Sequence, residues 1–128
     1  MRRRRILLVD DDVIVLAAHE RNLCRWGYAV RMVSRAADVP VALLRFRPDL
    51  ILMDRYLPDG DGLDLSRRIA DWLGRDAPKI LMLSGSFDEE QAGDSPVVAR
   101  YLPKDLSSGR LRQLIAAALA GQRLSLAP

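Results

Sequence analysis

The stretch that most constrains the fold of this 128-residue chain is Asp49-Leu-Ile-Leu-Met-Asp-Arg-Tyr-Leu-Pro-Asp-Gly-Asp-Gly-Leu63. Its apolar run, Leu50 to Met53, stops at a carboxylate, Asp54. A continuous apolar run of this length predicts a strand buried on both faces, the usual pattern of a central parallel strand. Pro58, Gly60 and Gly62 prevent simple continuation as strand or helix, which puts Asp54 at the strand's carboxyl end. Open α/β sheets place their sites on that edge. An aspartate there can equally be a turn former whose side chain satisfies nearby backbone amides, so its role depends on the residues gathered around it.

The other elements follow the same logic. Arg5-Ile-Leu-Leu-Val9 predicts a short buried strand ending in three consecutive carboxylates, Asp10, Asp11 and Asp12. Val13 to Trp26 carries Val15, Leu16, Leu23 and Trp26 at helical spacing, with Asp12 near its N-terminus and Gly27 closing it. Tyr28–Val33 predicts a second strand, and Ser34 an N-cap for a helix to about Phe46 that Pro40 should kink or shorten. After the opening strand come a helix over Leu63 to Leu73, with Leu63, Ile69, Trp72 and Leu73 as its apolar side, and a strand over Lys79–Ser84. Gly85 to Val98 is ambiguous: Asp88-Glu-Glu-Gln91 suits a helical turn or two, whereas Gly93 and Pro96 oppose a long helix. Ala99–Leu102 predicts a fifth strand and Leu106 to Ala120 the last helix, leaving residues 122–128 as a tail after a single domain over residues 1–121. Strands alternating with helices predict an α/β fold: a five-stranded parallel sheet sandwiched by about five helices, flavodoxin-like and doubly wound.

Bulk properties narrow the class of partner. Hydrophobic residues at 49% and charged residues at 29% are ordinary for a soluble globular domain. Twenty Lys and Arg against seventeen Asp and Glu give a net +3, too mild to demand nucleic acid, and Arg2 to Arg5 supply four of those positives at one end. The arginines and the four apolar residues after them imitate a secretory signal, but the run is too short for one. No stretch has the length of a membrane span. The single Cys24 cannot form an internal disulfide, in keeping with a cytoplasmic setting; its simplest role is that of a small core or boundary residue. His19 falls on the apolar stripe of the first helix and reads as a partly buried packing residue.

In a parallel sheet all the strand carboxyl ends share one edge. Here that edge collects Asp10, Asp11 and Asp12, then Asp54, Ser84 and Lys104. Packed carboxylates repel unless a cation offsets them. A hard divalent cation with oxygen ligands, Mg²⁺ above all, suits such a cluster and leaves room for a phosphoryl oxygen. Ser84 and Lys104 could donate to further phosphoryl oxygens, and a carboxylate attacking phosphorus gives an acyl phosphate.

With these residues in place the chain resembles the receiver domain of two-component response regulators, the CheY-like family. The resemblance rests on Ile6-Leu-Leu-Val-Asp-Asp-Asp12, Pro48-Asp-Leu-Ile-Leu-Met-Asp54 with Leu57-Pro-Asp-Gly-Asp-Gly-Leu63, Leu83-Ser-Gly85 and Tyr101-Leu-Pro-Lys104, and covers about residues 5 to 120. Each motif is weak alone; the four in this order are specific. The resemblance implies that Asp54 accepts a phosphoryl group from the phosphohistidine of a sensor histidine kinase or phosphotransfer protein. It implies Mg²⁺ held by Asp10, Asp11, Asp54 and the Tyr56 backbone carbonyl, with Asp10 acting through water. Ser84 would be the switch hydroxyl, Tyr101 the switch aromatic and Lys104 the partner of the phosphoryl group. Gly85 would leave space for phosphoryl entry, and Tyr56 and Ser86 would tune hydrolysis of the acyl phosphate. Such a domain is no conventional enzyme, although it catalyses its own phosphorylation and dephosphorylation. It signals to a downstream output domain or protein, in some cases as a homodimer, and binds neither nucleic acid nor membrane directly; no output domain is visible in this sequence.

Two departures stand out. The family usually follows its lysine with proline through a cis bond, whereas Asp105 follows Lys104, so a trans bond is expected. The segment from Ser84 to Lys104 is short, with Gly93, Asp94 and Pro96 where the fourth helix would lie, predicting a short or irregular helix there. Two other functions compete. A haloacid-dehalogenase-type phosphohydrolase has an opening signature similar to Asp10-Asp11-Asp12 and a later hydroxyl and lysine like Ser84 and Lys104. Against it, Ile14 replaces that signature's Thr or Val, no acidic pair follows Lys104, and Asp54 is left idle. A degenerate receiver acting only as a protein-interaction module is the other.

Overall fold

The computed structural model describes residues 2–84 and 98–121. Five parallel strands, β1 (Arg5–Val9), β2 (Ala29–Val33), β3 (Leu50–Asp54), β6 (Lys79–Ser84) and β7 (Val98–Pro103), form one sheet in the order β2-β1-β3-β6-β7. Two residue pairs between β3 and β6, β4 (Tyr56–Leu57) and β5 (Gly60–Asp61), make a small antiparallel hairpin where the sequence indicated only a turn. Four α-helices are present among the described residues: α1 (Val13–Arg25), α2 (Val39–Phe46), α3 (Gly62–Leu73) and α4 (Ser108–Leu119). The predicted turns at Asp88 to Gln91, the breakers Gly93 and Pro96 with the short fourth helix, Gly85, Ser86 and the tail over 122–128 lie outside the described residues.

The alternation of side chains along the strands builds two cores. Ile6, Leu8, Leu50, Leu52, Leu81 and Leu83 face one way, against Leu16 and Leu23 of α1 and Leu111, Leu114 and Ile115 of α4. Leu7, Val9, Ile51, Met53, Ile80 and Met82 face the other way, against Val39 and Leu43 of α2 and Leu65 and Ile69 of α3. All five residues of β3 are buried, as expected for a central strand covered on both sides.

The helix starts are set by local side chains. Asp12 is the N-cap of α1, its carboxylate accepting from the backbone N–H of Ile14 at 2.9 Å and of Val15 at 3.3 Å. Asp61 does the same for α3 through Leu63 N–H, at 2.8 Å, and Ser107 for α4 through Arg110 N–H, at 3.2 Å. Ser34 does not cap α2. A 3₁₀ turn over Ala36–Asp38 intervenes, and Pro40 sits in the first turn of α2, where its missing N–H would have had no helical partner anyway; no kink is needed. The amides of Ala36 and Ala37 are instead bound by the Asp59 carboxylate, at 2.7 and 2.9 Å. Those amides, Ala37's first, hold the Asp59 carboxyl below its usual range.

Two other expectations are corrected. Cys24 is exposed, because it points away from the stripe formed by Leu16 and Leu23. Trp72 is 51% exposed; the buried side of α3 runs instead through Leu63, Leu65, Ser66 and Ile69. At the sheet's opposite edge Asp49 gathers the basic N-terminus, accepting from Arg5 N–H at 2.8 Å and pairing with Arg2 at 3.1 Å.

His19 is half-buried on α1, and burial pushes its imidazole below the ordinary value of 6.5. Between the lowered value and 6.5 the unfolded chain binds more protons there than the folded one. Its stabilising contribution is therefore present above 6.5 and lost as pH falls through that window. Because this is the one histidine in the chain, its imidazole ring-proton resonances titrate unambiguously; an NMR pH series is expected to give a midpoint below 6.5.

Candidate functional site

Strand register brings the chemistry together. In the sheet order the chain runs from β1 outward to β2 on one side and to β3 on the other, so the carboxyl ends of β1 and β3 flank the switch point where such sheets open a crevice. Val9 pairs with Met53, which puts Asp10 beside Asp54. Asp54 pairs with Leu83 and Ser84 with Pro103, so Ser84 and Lys104 follow directly. By the two-residue alternation Asp10, Asp54 and Lys104 continue the rows that face α1 and α4.

Asp54 is only 2% exposed. The Lys104 ammonium lies 3.2 Å from its Oδ1 and 3.3 Å from its Oδ2, and the Tyr56 backbone N–H donates to Oδ1 at 3.3 Å. One carboxylate oxygen each from Asp10, Asp11 and Asp54 lie within 4.8 Å of one another. Asp10 is buried and Asp11 exposed, so the cluster is open on one side. Burial pushes the Asp10 carboxyl above its usual range; the charges of Asp54 and Asp11 add to this, while the Asp12 amide at 2.9 Å and Lys104 oppose it. Three converging carboxylates, two of them buried, are a donor set that fits a hard divalent cation such as Mg²⁺.

The remaining predicted residues stand close by in sequence and register. Ser84 is buried at the end of β6. Tyr101 is half-buried, paired with Met82 in the ladder and packed against the α2–α3 core. The Tyr56 side chain is exposed, while its backbone N–H makes the Asp54 contact given above. Asp12 acts as the α1 cap described above. No cis peptide bond occurs among the described residues, Lys104–Asp105 included.

Sequence reasoning missed Arg55. Its backbone N–H donates to Leu83 O at 2.9 Å and its carbonyl accepts from Gly62 N–H at 2.5 Å, closing the loop that follows Asp54. The signal was present in the sequence: a lone cation between a buried strand and a turn. Gly62 has no room for a side chain, since a Cβ would come within 2.7 Å of the Asp54 carbonyl oxygen and 3.0 Å of Arg55 Cα.

Comparison with known proteins places this geometry. The model of the response regulator receiver domain matches residues 6–116. The chain belongs to the response regulator receiver domain family. It is 36% identical over 119 residues to the transcriptional regulatory protein GltR of Pseudomonas aeruginosa, covering 88% of this chain and 49% of that protein; the chain thus spans about half the length of the curated relatives it matches. Among solved structures it is similar to a two-component response regulator of the LuxR family from Aurantimonas sp., with a TM-score of 0.83, 33% identity, and coverage of 95% of this chain and 89% of that one. The receiver domain of the sensor histidine kinase PA1611 of Pseudomonas aeruginosa shares the fold at a TM-score of 0.81 and 24% identity, with coverage of 93% and 99%; that structure has a magnesium ion in its active-site cleft. The flavodoxin-like architecture and the receiver family are therefore as the sequence indicates, and the haloacid-dehalogenase reading falls away.

Two outcomes follow from this receiver site. Asp10→Asn keeps the acceptor for Asp12 N–H and removes a buried charge. In the presence of a chelator its melting temperature is expected to exceed that of the wild type, and the rise on adding Mg²⁺ to shrink, both read by differential scanning calorimetry. Gly62→Ala is expected to cost about 1–3 kcal/mol of unfolding free energy in urea denaturation, because backbone rather than a flexible side chain must move.

Proposed function

We propose that this receiver domain takes a phosphoryl group onto Asp54 from a phosphohistidine of a sensor histidine kinase or phosphotransfer protein. The observation that carries the reading is the buried Asp54 carboxylate with the Lys104 ammonium 3.2 and 3.3 Å from its two oxygens and two further carboxylates beside it. An Asp54 oxygen attacks phosphorus, the new P–O bond forms as the P–N bond breaks, and the imidazole nitrogen leaves with the electron pair. Asp10, Asp11, Asp54 and the Tyr56 backbone carbonyl would hold Mg²⁺, which when bound neutralises phosphoryl charge. Lys104 exchanges its hold on the Asp54 oxygens for a phosphoryl oxygen. Charge on the transferred group thereby stays compensated through the transfer.

In this reading Ser84 is the hydroxyl that follows the phosphoryl group and Tyr101 the aromatic that changes rotamer in response. Both belong to adjacent, paired strands, so a shift of the one is felt by the other. The domain, over residues 1–121, acts in a cytoplasmic two-component system and passes its state to an output domain or protein.

Incubation with acetyl phosphate and Mg²⁺, followed by intact-mass measurement, is expected to show a gain of one phosphoryl group. That gain should vanish with Asp54→Asn and with chelator. A folded wild type that takes up nothing under these conditions would instead be a receiver that serves only as a protein-interaction module.

A further inference from the structure

β2 is an outer strand of the sheet, and among the described residues nothing pairs with its free side. Ala29 N–H donates to Arg4 O at 2.9 Å, and Val33 O accepts from Asp10 N–H at 3.2 Å. Residues of a parallel strand alternate in the neighbour they bond. Ala29, Arg31 and Val33 therefore turn their main chain to β1, and Val30 and Met32 turn theirs outward. The outer N–H and C=O groups of those two residues are a template for another strand. Bulges and prolines are common ways of blunting such an edge, and β2 has neither: its register with β1 runs unbroken from Ala29 to Val33.

The side chains beside this edge carry positive charge and apolar surface. A cleft of about 360 Å³ lies between β2 and α2, with Arg31, Val33, Val41, Arg45 and Phe46 in its walls. The Arg31 guanidinium is held over the Phe46 ring, 5.4 Å from its centroid, within the range of an attractive cation–π contact. Neither Arg31 nor Arg45 forms an ion pair among the described residues. Asp38 lines the same cleft, so two guanidiniums stand there against one carboxylate. Val41 is 53% exposed and Met32 38%. A charge on an edge strand keeps copies of a chain from pairing, and Arg31 alone would serve that end. It does not account for Arg45, brought to the cleft by a different element, or for the apolar surface left in solvent.

We infer that the β2 edge and the cleft beside it bind an extended, acidic segment of a partner protein, which adds to the sheet as a further strand. Side-chain alternation sets the pattern of that segment. Arg31 shares the α2 face with Val33, and Met32 shares the opposite face with Val30. Carboxylates at every second position of the added strand meet Arg31 and Arg45, while the apolar residues between them lie beside Met32. Main-chain bonds to Val30 and Met32 give affinity, and the alternating side chains give specificity. A second copy of this chain fits poorly. Two β2 edges brought together would gather Arg31 and Arg45 of both copies, four guanidiniums against two Asp38 carboxylates, on one face of the joint.

The test titrates the full chain, labelled with ¹⁵N, with a short peptide of alternating Glu and Val, up to about 1 mM. The amide resonances of Val30 and Met32 are expected to move with the dissociation curve. Arg31→Gln and Arg45→Gln, both at exposed positions, are each expected to weaken binding by about two- to fivefold, and the double substitution by more. The same peptide with every backbone nitrogen methylated keeps its charges but can no longer add as a strand, and it is expected not to bind. So is the peptide of alternating Lys and Val. Equal binding of the methylated peptide would mean that charge alone holds it, and would overturn the inference. Shifts that leave Val30 and Met32 unmoved would do so too. A dimer in sedimentation velocity whose formation moves those two amides would give the edge to a second copy and overturn it as well.

Discussion

The constraint on which the rest of the site depends is electrostatic: three carboxylates sit within a few ångströms, two of them out of water. Left to itself such a cluster would drift apart or take up protons; burial raises the Asp10 carboxyl above its usual range, and the charges of Asp54 and Asp11 push it the same way. What keeps the groups together is the parallel ladder. Asp10 cannot retreat from Asp54 without breaking the Val9–Met53 register, and β1 and β3 are buried along almost their whole length. Core packing therefore supplies the force that holds like charges close, and Lys104 offsets part of their repulsion.

Much of this was legible in the sequence because it rests on continuous apolar runs and on what ends them. Leu50 to Met53 and Lys79 to Ser84 could hardly be anything but buried strands, and parallel pairing puts their carboxyl ends on one edge whatever the loops do. Helix α2 was read less well. Ser34 is a good cap in isolation, yet the amides it would have served are taken by Asp59, twenty-odd residues away, and the chain makes a 3₁₀ turn before Pro40 starts the helix. Trp72 was misplaced for a related reason. Helical spacing gives the stripe, but whether a large aromatic lies at its centre or its margin depends on where α3 crosses the sheet, which no local pattern states.

Arg55 was overlooked for a different reason. A charged residue after a buried strand is ordinarily read as the point where the chain reaches solvent, and burial of charge is uncommon enough that the reading is usually right. Here the small β4–β5 hairpin folds back over it, through Gly62 N–H to the Arg55 carbonyl and through Asp61 to the guanidinium. The close approach at Gly62 is what makes that folding-back sterically feasible.

Lys104 bears on how such a site tolerates change. The family's usual lysine–proline bond is replaced by Lys104–Asp105, and the ammonium still meets both oxygens of Asp54. The aim of the lysine is fixed upstream, by Leu83–Leu102 and Ser84–Pro103 in the β6–β7 ladder, rather than by the residue that follows it. That ladder also carries Ser84 and Tyr101 on the face opposite Asp10, Asp54 and Lys104. In the proposed reading a change of charge at Asp54 must therefore cross β6 to reach the α2–α3 side. The strand that pairs with Asp54 at Leu83 and ends in Ser84 provides that crossing within one residue.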